Sequence, residues 1–300
     1  MKSGEGVYFF TLSVASTKES IMKRVYFAFF YLILVLSLSY GIEFRKDWKD
    51  AIKEAKNLHR RVFFVFHTDW CPHCRHLLGT TLKDPKVLEY FEKEGYILIS
   101  VNPEKDRVAE KRFRVYGYPT MIVFDKNGKE IDRILGYMDS SELIKTIEDF
   151  KKGIGTLDYM LKEYAKDGEN LDLIFEIATK YIARAEFQKA IDMLNIVLQK
   201  AEKKKSREDI IKALMRKAYA YYKWKRFSKA ADCMLEIAKR YPGSKEAGDA
   251  YLDASYYAKR GGDIKREREL IKIFIEKFPN DPRSEKLKEK LKKQLETVDK

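Results

Sequence analysis

Thr68-Asp69-Trp70-Cys71-Pro72-His73-Cys74-Arg75-His76 contains two of the three cysteines in the chain. It follows a strand-like apolar run, Val62-Phe63-Phe64-Val65-Phe66, and leads into a segment with helical spacing. Two cysteines separated by two residues at the start of a helix close a small disulfide ring. The first sulfur then sits beside the unsatisfied N–H groups and positive end of the helix dipole, which favour its thiolate. Because the thiolate is the attacking species in thiol–disulfide exchange, Cys71 is the expected nucleophile. Cys74, one helical turn further in, is the expected resolving partner. Pro72 fits the first turn, where a missing N–H costs nothing. His73 is expected to add positive charge beside Cys71. Other uses of the same residues fare worse. Attachment of c-type haem needs His directly after the second Cys, and Arg75 is there. A structural zinc site wants four ligands, and beside His73 and His76 no second Cys pair exists, so no metal is expected. A merely structural disulfide suits the strand–Cys–Pro–helix context less well than redox chemistry does.

At 300 residues the chain has room for about two domains, and 45% hydrophobic with 35% charged residues describes a globular protein. Lys and Glu dominate the charge, while Gln occurs only at 188, 199 and 294, a bias that resembles thermophile proteins. The formal net charge is +14. Lys is interleaved with Glu on helical faces, which reads as a solvated surface. No nucleic-acid motif accompanies it, so no nucleic-acid partner is expected.

Residues 22–41 open with Met22-Lys23-Arg24, continue almost wholly apolar from Val25 to Tyr40, and end at Gly41. A basic start followed by a short apolar core matches a secretory signal, with Met22 as an alternative start and cleavage expected before Ile42. The alternative is an uncleaved membrane anchor, the run being just short of a comfortable span. Either reading exports the remainder, which suits a chain that uses its cysteines for disulfide chemistry.

Taken in order, 47–58 reads as a helix with Trp48, Ala51, Ile52 and Ala55 as its apolar stripe, and 62–67 as a buried strand. Pro72 opens a helix that Asp84-Pro85 interrupts, and the helical pattern resumes over 86–94. Residues 96–101 and 120–124 read as strands around a helix at 106–116. Lys126-Asn127-Gly128-Lys129 is a hairpin turn before a return strand at 131–135. A helix over 140–150, capped by Ser140 or Ser141, closes a mixed sheet covered on both faces.

This pattern resembles the thioredoxin superfamily, through Trp70-Cys71-Pro72-His73-Cys74, Gly117-Tyr118-Pro119-Thr120 and Gly136. The resemblance covers 42–151 and implies an α/β thioredoxin fold. It also implies a cis bond before Pro119, with Tyr118 and Pro119 presenting backbone to a substrate peptide, and Trp70 shielding the sulfur. The chain departs from thioredoxins proper in having Val65 where they carry a buried Asp, so His67 or a water is expected to replace that proton relay. The Pro-His pair resembles DsbA-type oxidases, but there is no room for their inserted helical domain. The half looks more like exported domains related to the DsbD C-terminal domain.

Beyond Gly153-Ile154-Gly155, expected to be a linker, only helical patterns continue, over 152–300. Tyr181, Phe187, Ala190, Leu194 and Val197 recur forty positions on as Tyr221, Phe227, Ala230, Met234 and Ile237, and Pro242 is matched by Pro279. Small residues such as Ala178 and Ala218 are expected where helices cross. The pattern resembles tetratricopeptide repeats, which implies an all-α repeat domain binding a protein partner in its groove. An insertion is expected near 203–207, Glu267 stands where the third unit should carry a small residue, and a polar closing helix is expected over 284–297. Cys233, within a helix, reads as an inert core thiol.

The expected function is an exported, periplasmic thiol–disulfide oxidoreductase, soluble or anchored by residues 1–41. It would act on protein or peptide thiols and disulfides, with Cys71 and Cys74 as its redox-active disulfide and no dissociable cofactor. A separate redox partner, expected in the membrane, would recycle it. The alternative is an assembly or chaperone-like scaffold whose redox pair is auxiliary.

Overall fold

The computed structural model describes residues 43–296. The segment expected to be a signal or anchor lies outside the described residues, and among these no helix is long and apolar enough to cross a membrane. The first part is a five-stranded mixed sheet in the order β1-β3-β2-β4-β5. Its strands are β1 (Phe44–Arg45), β2 (Val62–Phe66), β3 (Ile97–Val101), β4 (Thr120–Phe124) and β5 (Glu130–Leu135). β2 is central because every residue in it is apolar and buried, so both of its faces need cover. It pairs in parallel with β3, Phe64 opposite Ile99, and antiparallel with β4, Phe64 opposite Ile122. The edge strand β1 has only two residues and was absent from the sequence reading; so short a run carries no alternation to detect.

The helices of this part are α1 (Trp48–Asn57), α2 (Pro72–Gly79), α3 (Pro85–Lys93), α4 (Arg107–Arg112) and α5 (Ser140–Lys151), with a single 3₁₀ turn at Thr81–Lys83. On one face of the sheet, Phe64 and Phe66 pack with Trp48, Ala51, Ala55 and Ile122. On the other, Phe63 meets Phe91 of α3, ring centroids 4.7 Å apart. α4 is shorter than expected: Phe113 leaves the helix to pack among Trp48, Phe64 and Phe124, and Arg114 takes a left-handed φ of 51°. The cap of α5 also differs from expectation. Asp139 accepts from the Glu142 N–H, and Ser141 donates to Asp139 instead of capping. A carboxylate is the stronger acceptor at a helix N-terminus.

Then come α6 (Leu157–Lys166), α7 (Leu171–Ala183), α8 (Phe187–Lys203), α9 (Arg207–Lys223), α10 (Phe227–Arg240), α11 (Lys245–Arg260), α12 (Ile264–Lys277) and α13 (Pro282–Glu296). Each packs on the next. Ala178, Ala213, Ala218, Ala250 and Ala254 are wholly or almost wholly buried where helices approach closely. The insertion expected near 203–207 is no loop. The extra residues lengthen helices instead, so α8 and α9 have 17 residues each while α7 has 13 and α10 has 14. Glu267, 2% exposed, occupies its small-residue position by pairing with Lys290 of α13 at 3.0 Å. Cys233 is buried, and burial pushes its thiol up to about 11.

Sheet and helices belong to one compact unit from Phe44 onward. The Gly153-Ile154-Gly155 stretch is a tight turn, both glycines left-handed, with Ile154 N–H bonded to Asp149 O at 2.8 Å. Thr156 then caps α6, accepting from the Tyr159 N–H at 3.2 Å and donating to Gly153 O at 2.9 Å. Asp132 of β5, fully buried, ties the two parts together. It accepts from Leu157 N–H at 2.9 Å and pairs with Lys180 at 3.0 Å and Arg184 at 2.7 Å. Arg133 alongside donates to Ala183 O at 3.1 Å.

Candidate active site

The site lies at the carboxyl end of β2, where the chain leaves the sheet and turns into α2, and a crevice outside strand ends is the usual place for one. Cys71 is the N-cap of α2, in extended conformation, with Pro72 at the first helical position. Its Sγ accepts from the Cys74 N–H at 3.3 Å and lies 3.7 Å from Tyr118 O. The Tyr118–Pro119 bond is cis, as the resemblance implied, and Gly136 N–H meets Pro119 O at 2.8 Å. Thus the helix start and the entry to β4 meet at one sulfur, and the end of β5 braces the Pro119 side of that entry.

The two thiols differ in setting. Cys71 keeps a 4% exposed edge while Cys74 has none. Burial, then the hydrogen bond to Cys71, pushes the Cys74 thiol up to about 12, and the Thr68 backbone N–H opposes this only in part. Cys74 therefore holds its proton across the neutral range.

Around this pair, Trp70 is 63% exposed; its indole donates to Glu104 Oε1 at 3.0 Å and its ring stands edge-on to Tyr118. Tyr118 donates its hydroxyl to Glu110, and burial followed by this bond pushes the phenol upward. His73 is exposed on the first turn of α2 and makes no hydrogen bond or ion pair among the described residues.

Two residues escaped the sequence reading, Glu104 and Glu110, and Thr68 was quoted with the motif but given no role. Glu104 follows the carboxyl end of β3, so the strand-end rule could have found it. Glu110 carries no signal until α4 folds against the Tyr118 loop. Val65, where a buried acid was missed, is wholly enclosed. His67 Nε2 lies 2.9 Å from Ser100 Oγ, and burial lowers the imidazole pKa. His67 Nδ1 and Thr68 Oγ1 are buried without a partner, a polar spot beside the resolving cysteine.

A family model described as a thioredoxin-like domain matches residues 48–151. Residues 48–151 form a thioredoxin-like domain. Among curated proteins, the thiol:disulfide interchange protein DsbD of Haemophilus influenzae is 33% identical over 100 residues, 31% of this chain and 17% of that protein. The chain thus spans about a sixth of the length of that relative. Among solved structures, a thioredoxin from Thermus thermophilus is 25% identical, covering 36% of this chain and 86% of that one, with a TM-score of 0.33. The oxidised DsbD C-terminal domain of Neisseria meningitidis is 18% identical, covering 36% and 98%, with a TM-score of 0.31. The family match thus falls on the sheet part of the chain, and the all-helical part follows it.

Proposed function

We propose that the chain is an exported protein thiol–disulfide oxidoreductase. The observation that carries this reading is Cys71 Sγ, set between the Cys74 N–H at the start of α2 and the Tyr118 carbonyl. Acting as a reductant, the Cys71 thiolate attacks one sulfur of a substrate disulfide. A Cys71–substrate bond forms and the other substrate sulfur leaves as a thiolate that takes a proton. Cys74 then gives up its proton and attacks Cys71 Sγ, forming the Cys71–Cys74 disulfide and releasing the second substrate thiolate. Two electrons pass to the substrate, and a partner dithiol, in the membrane by the export reading, restores the pair. Run in reverse, the same steps oxidise a substrate dithiol, and the potentials of the partners set the direction. The pair carries the electrons itself, so no dissociable cofactor is needed.

The supporting roles follow from position. Tyr118 and Pro119 offer backbone to an extended substrate, Trp70 and Pro72 shape the rim, and His73 stands exposed on the first turn of α2 beside Cys71. The helical part is read as a tetratricopeptide-like binding module. An open groove of about 750 Å³ along α9, lined by Arg207, Ile211, Met215 and Tyr219, supports this, with Met215 half-exposed. The same groove favours the scaffold as a second reading. Reduction of insulin disulfides by wild type and Cys71→Ser separates them. The oxidoreductase predicts a loss of roughly a thousandfold or more on removing the nucleophile. Equal rates would sink the catalytic reading and leave the scaffold.

A further inference from the structure

A second cleft, about 420 Å³, begins at Tyr118 and runs along the seam between the thioredoxin-like domain and the helices. One wall is Lys111, Tyr116 and Tyr118; the other is Tyr222, Lys223 and Lys225 of the α9–α10 corner, with Arg260 at the end of α11. Four cations line it against one carboxylate, Glu110, which the Tyr118 hydroxyl already occupies. Among the described residues none of the cleft cations Lys111, Lys223, Lys225 and Arg260 is in a salt bridge. Lys223 instead reaches across the seam to Tyr116 O at 3.2 Å, so the two walls are joined beside the Tyr118 loop.

We propose that this cleft binds an acidic stretch of the substrate polypeptide flanking its reacting cysteine, so that the helical part supplies half of the substrate site. The proposal rests on the oxidoreductase reading and adds a substrate class to it. Continuity places the stretch: Tyr118 lines the cleft with its ring, and its carbonyl lies 3.7 Å from the Cys71 sulfur. A chain paired along Tyr118 and Pro119 must therefore continue past Lys111 and Lys225. Charge complementarity selects the occupant. Unpaired cations steer and hold Asp and Glu side chains, and they disfavour a basic segment. Phosphate would satisfy the same charges, but a nucleic acid brings no sulfur to the adjoining thiol.

The test uses the full chain and fluorescent twelve-residue peptides without cysteine, one Asp/Glu-rich, one with Asn/Gln in the same places, and a single-stranded oligonucleotide of equal length. Anisotropy should show the acidic peptide binding at least tenfold tighter than the neutral one, with the advantage lost as salt rises. Lys225→Glu with Arg260→Glu should abolish that preference and leave the neutral peptide alone. Lys272→Glu with Lys277→Glu, at exposed positions of α12 away from both grooves, should keep it. Equal affinity for the two peptides, equal loss in both double variants, or tighter binding of the oligonucleotide would each overturn the proposal. If the Lys225/Arg260 variant does not fold, as judged by circular dichroism, the salt titration and the two-peptide comparison on wild type still decide. Because these peptides lack sulfur, a chain that binds the acidic one yet fails to reduce insulin sinks the redox reading separately. In the intact reaction, an acidic disulfide peptide should show a KM about tenfold below that of its neutral twin with similar kcat.

Discussion

The sheet part and the helical part both bury cysteine, and they do opposite things with it. Cys71 and Cys74 sit where a strand ends and a helix begins, so one sulfur faces free N–H groups and a backbone carbonyl. Cys233 lies inside α10, whose N–H groups are spent on the helix, and its side chain is buried. Chemistry concentrates where regular structure is interrupted, because only there are backbone donors left over. The helical part repeats one crossing of small residues and has no such interruption in its core. Its charge goes to grooves and to the seam.

The comparison can be broken at the seam first. Asp132→Ala would leave Lys180 without its carboxylate and Arg184 with Glu130 alone, and strip α6 of an acceptor. The expected loss is about 3–5 kcal/mol, read by urea unfolding followed through both sheet and helix signals. Two separate transitions would show that the halves are stable apart; a single transition at lower urea would keep them one cooperative unit.

The contrast between thiols can be sharpened by alkylation of the reduced chain at pH 8. With Cys74 pushed up to about 12 and Cys233 up to about 11, both stay protonated, and iodoacetamide should label Cys71 about tenfold or more faster than either. Mass mapping showing Cys74 labelled first would reverse the assigned roles. The same shift predicts an alkaline weakness. The unfolded Cys74 thiol ionises near its ordinary 9.0 and the folded one near 12, so the unfolded state loses its proton first. Stability is full below pH 9 and should fall as pH rises toward 12.

Smaller effects test the repeats and the junction. Glu267→Ala removes a buried carboxylate and leaves Lys290 without its partner, an expected cost of about 1–3 kcal/mol in thermal unfolding. No loss would mean that a small residue serves that crossing equally well, as Ala230 does in the preceding unit. Thr156→Ala removes the cap of α6 and should cost about 1 kcal/mol. A flexible linker at Gly153–Gly155 would make that change silent.

Much of the site was legible in the chain because its parts are local. Cys71, Pro72 and Cys74 share one turn, and Tyr118-Pro119 was reached through the resemblance to the thioredoxin superfamily. The helices of the second part were legible because Tyr181, Ala190 and Leu194 repeat at fixed spacing. The placements of Trp70 and His73 were not, because an exposed side chain on a rim takes its direction from neighbours such as Glu104 that the sequence does not bring near. The end of α4 was missed for a related reason: Phe113 gains more by joining Trp48, Phe64 and Phe124 than by extending a helix.

Short-range order, then, was written in residue types: the buried strand at Val62–Phe66, the cysteine pair at a helix start and the recurring helical crossings. Which of those pieces touch was decided by the tertiary structure. Asp132 with Lys180 and Arg184, Glu110 with Tyr118, and Lys223 with Tyr116 are all pairs set by three-dimensional packing. A carboxylate reads the same in a sequence whether it faces water or two partly buried cations. Only packing removes the water, and with the water gone the partner determines what the charge does.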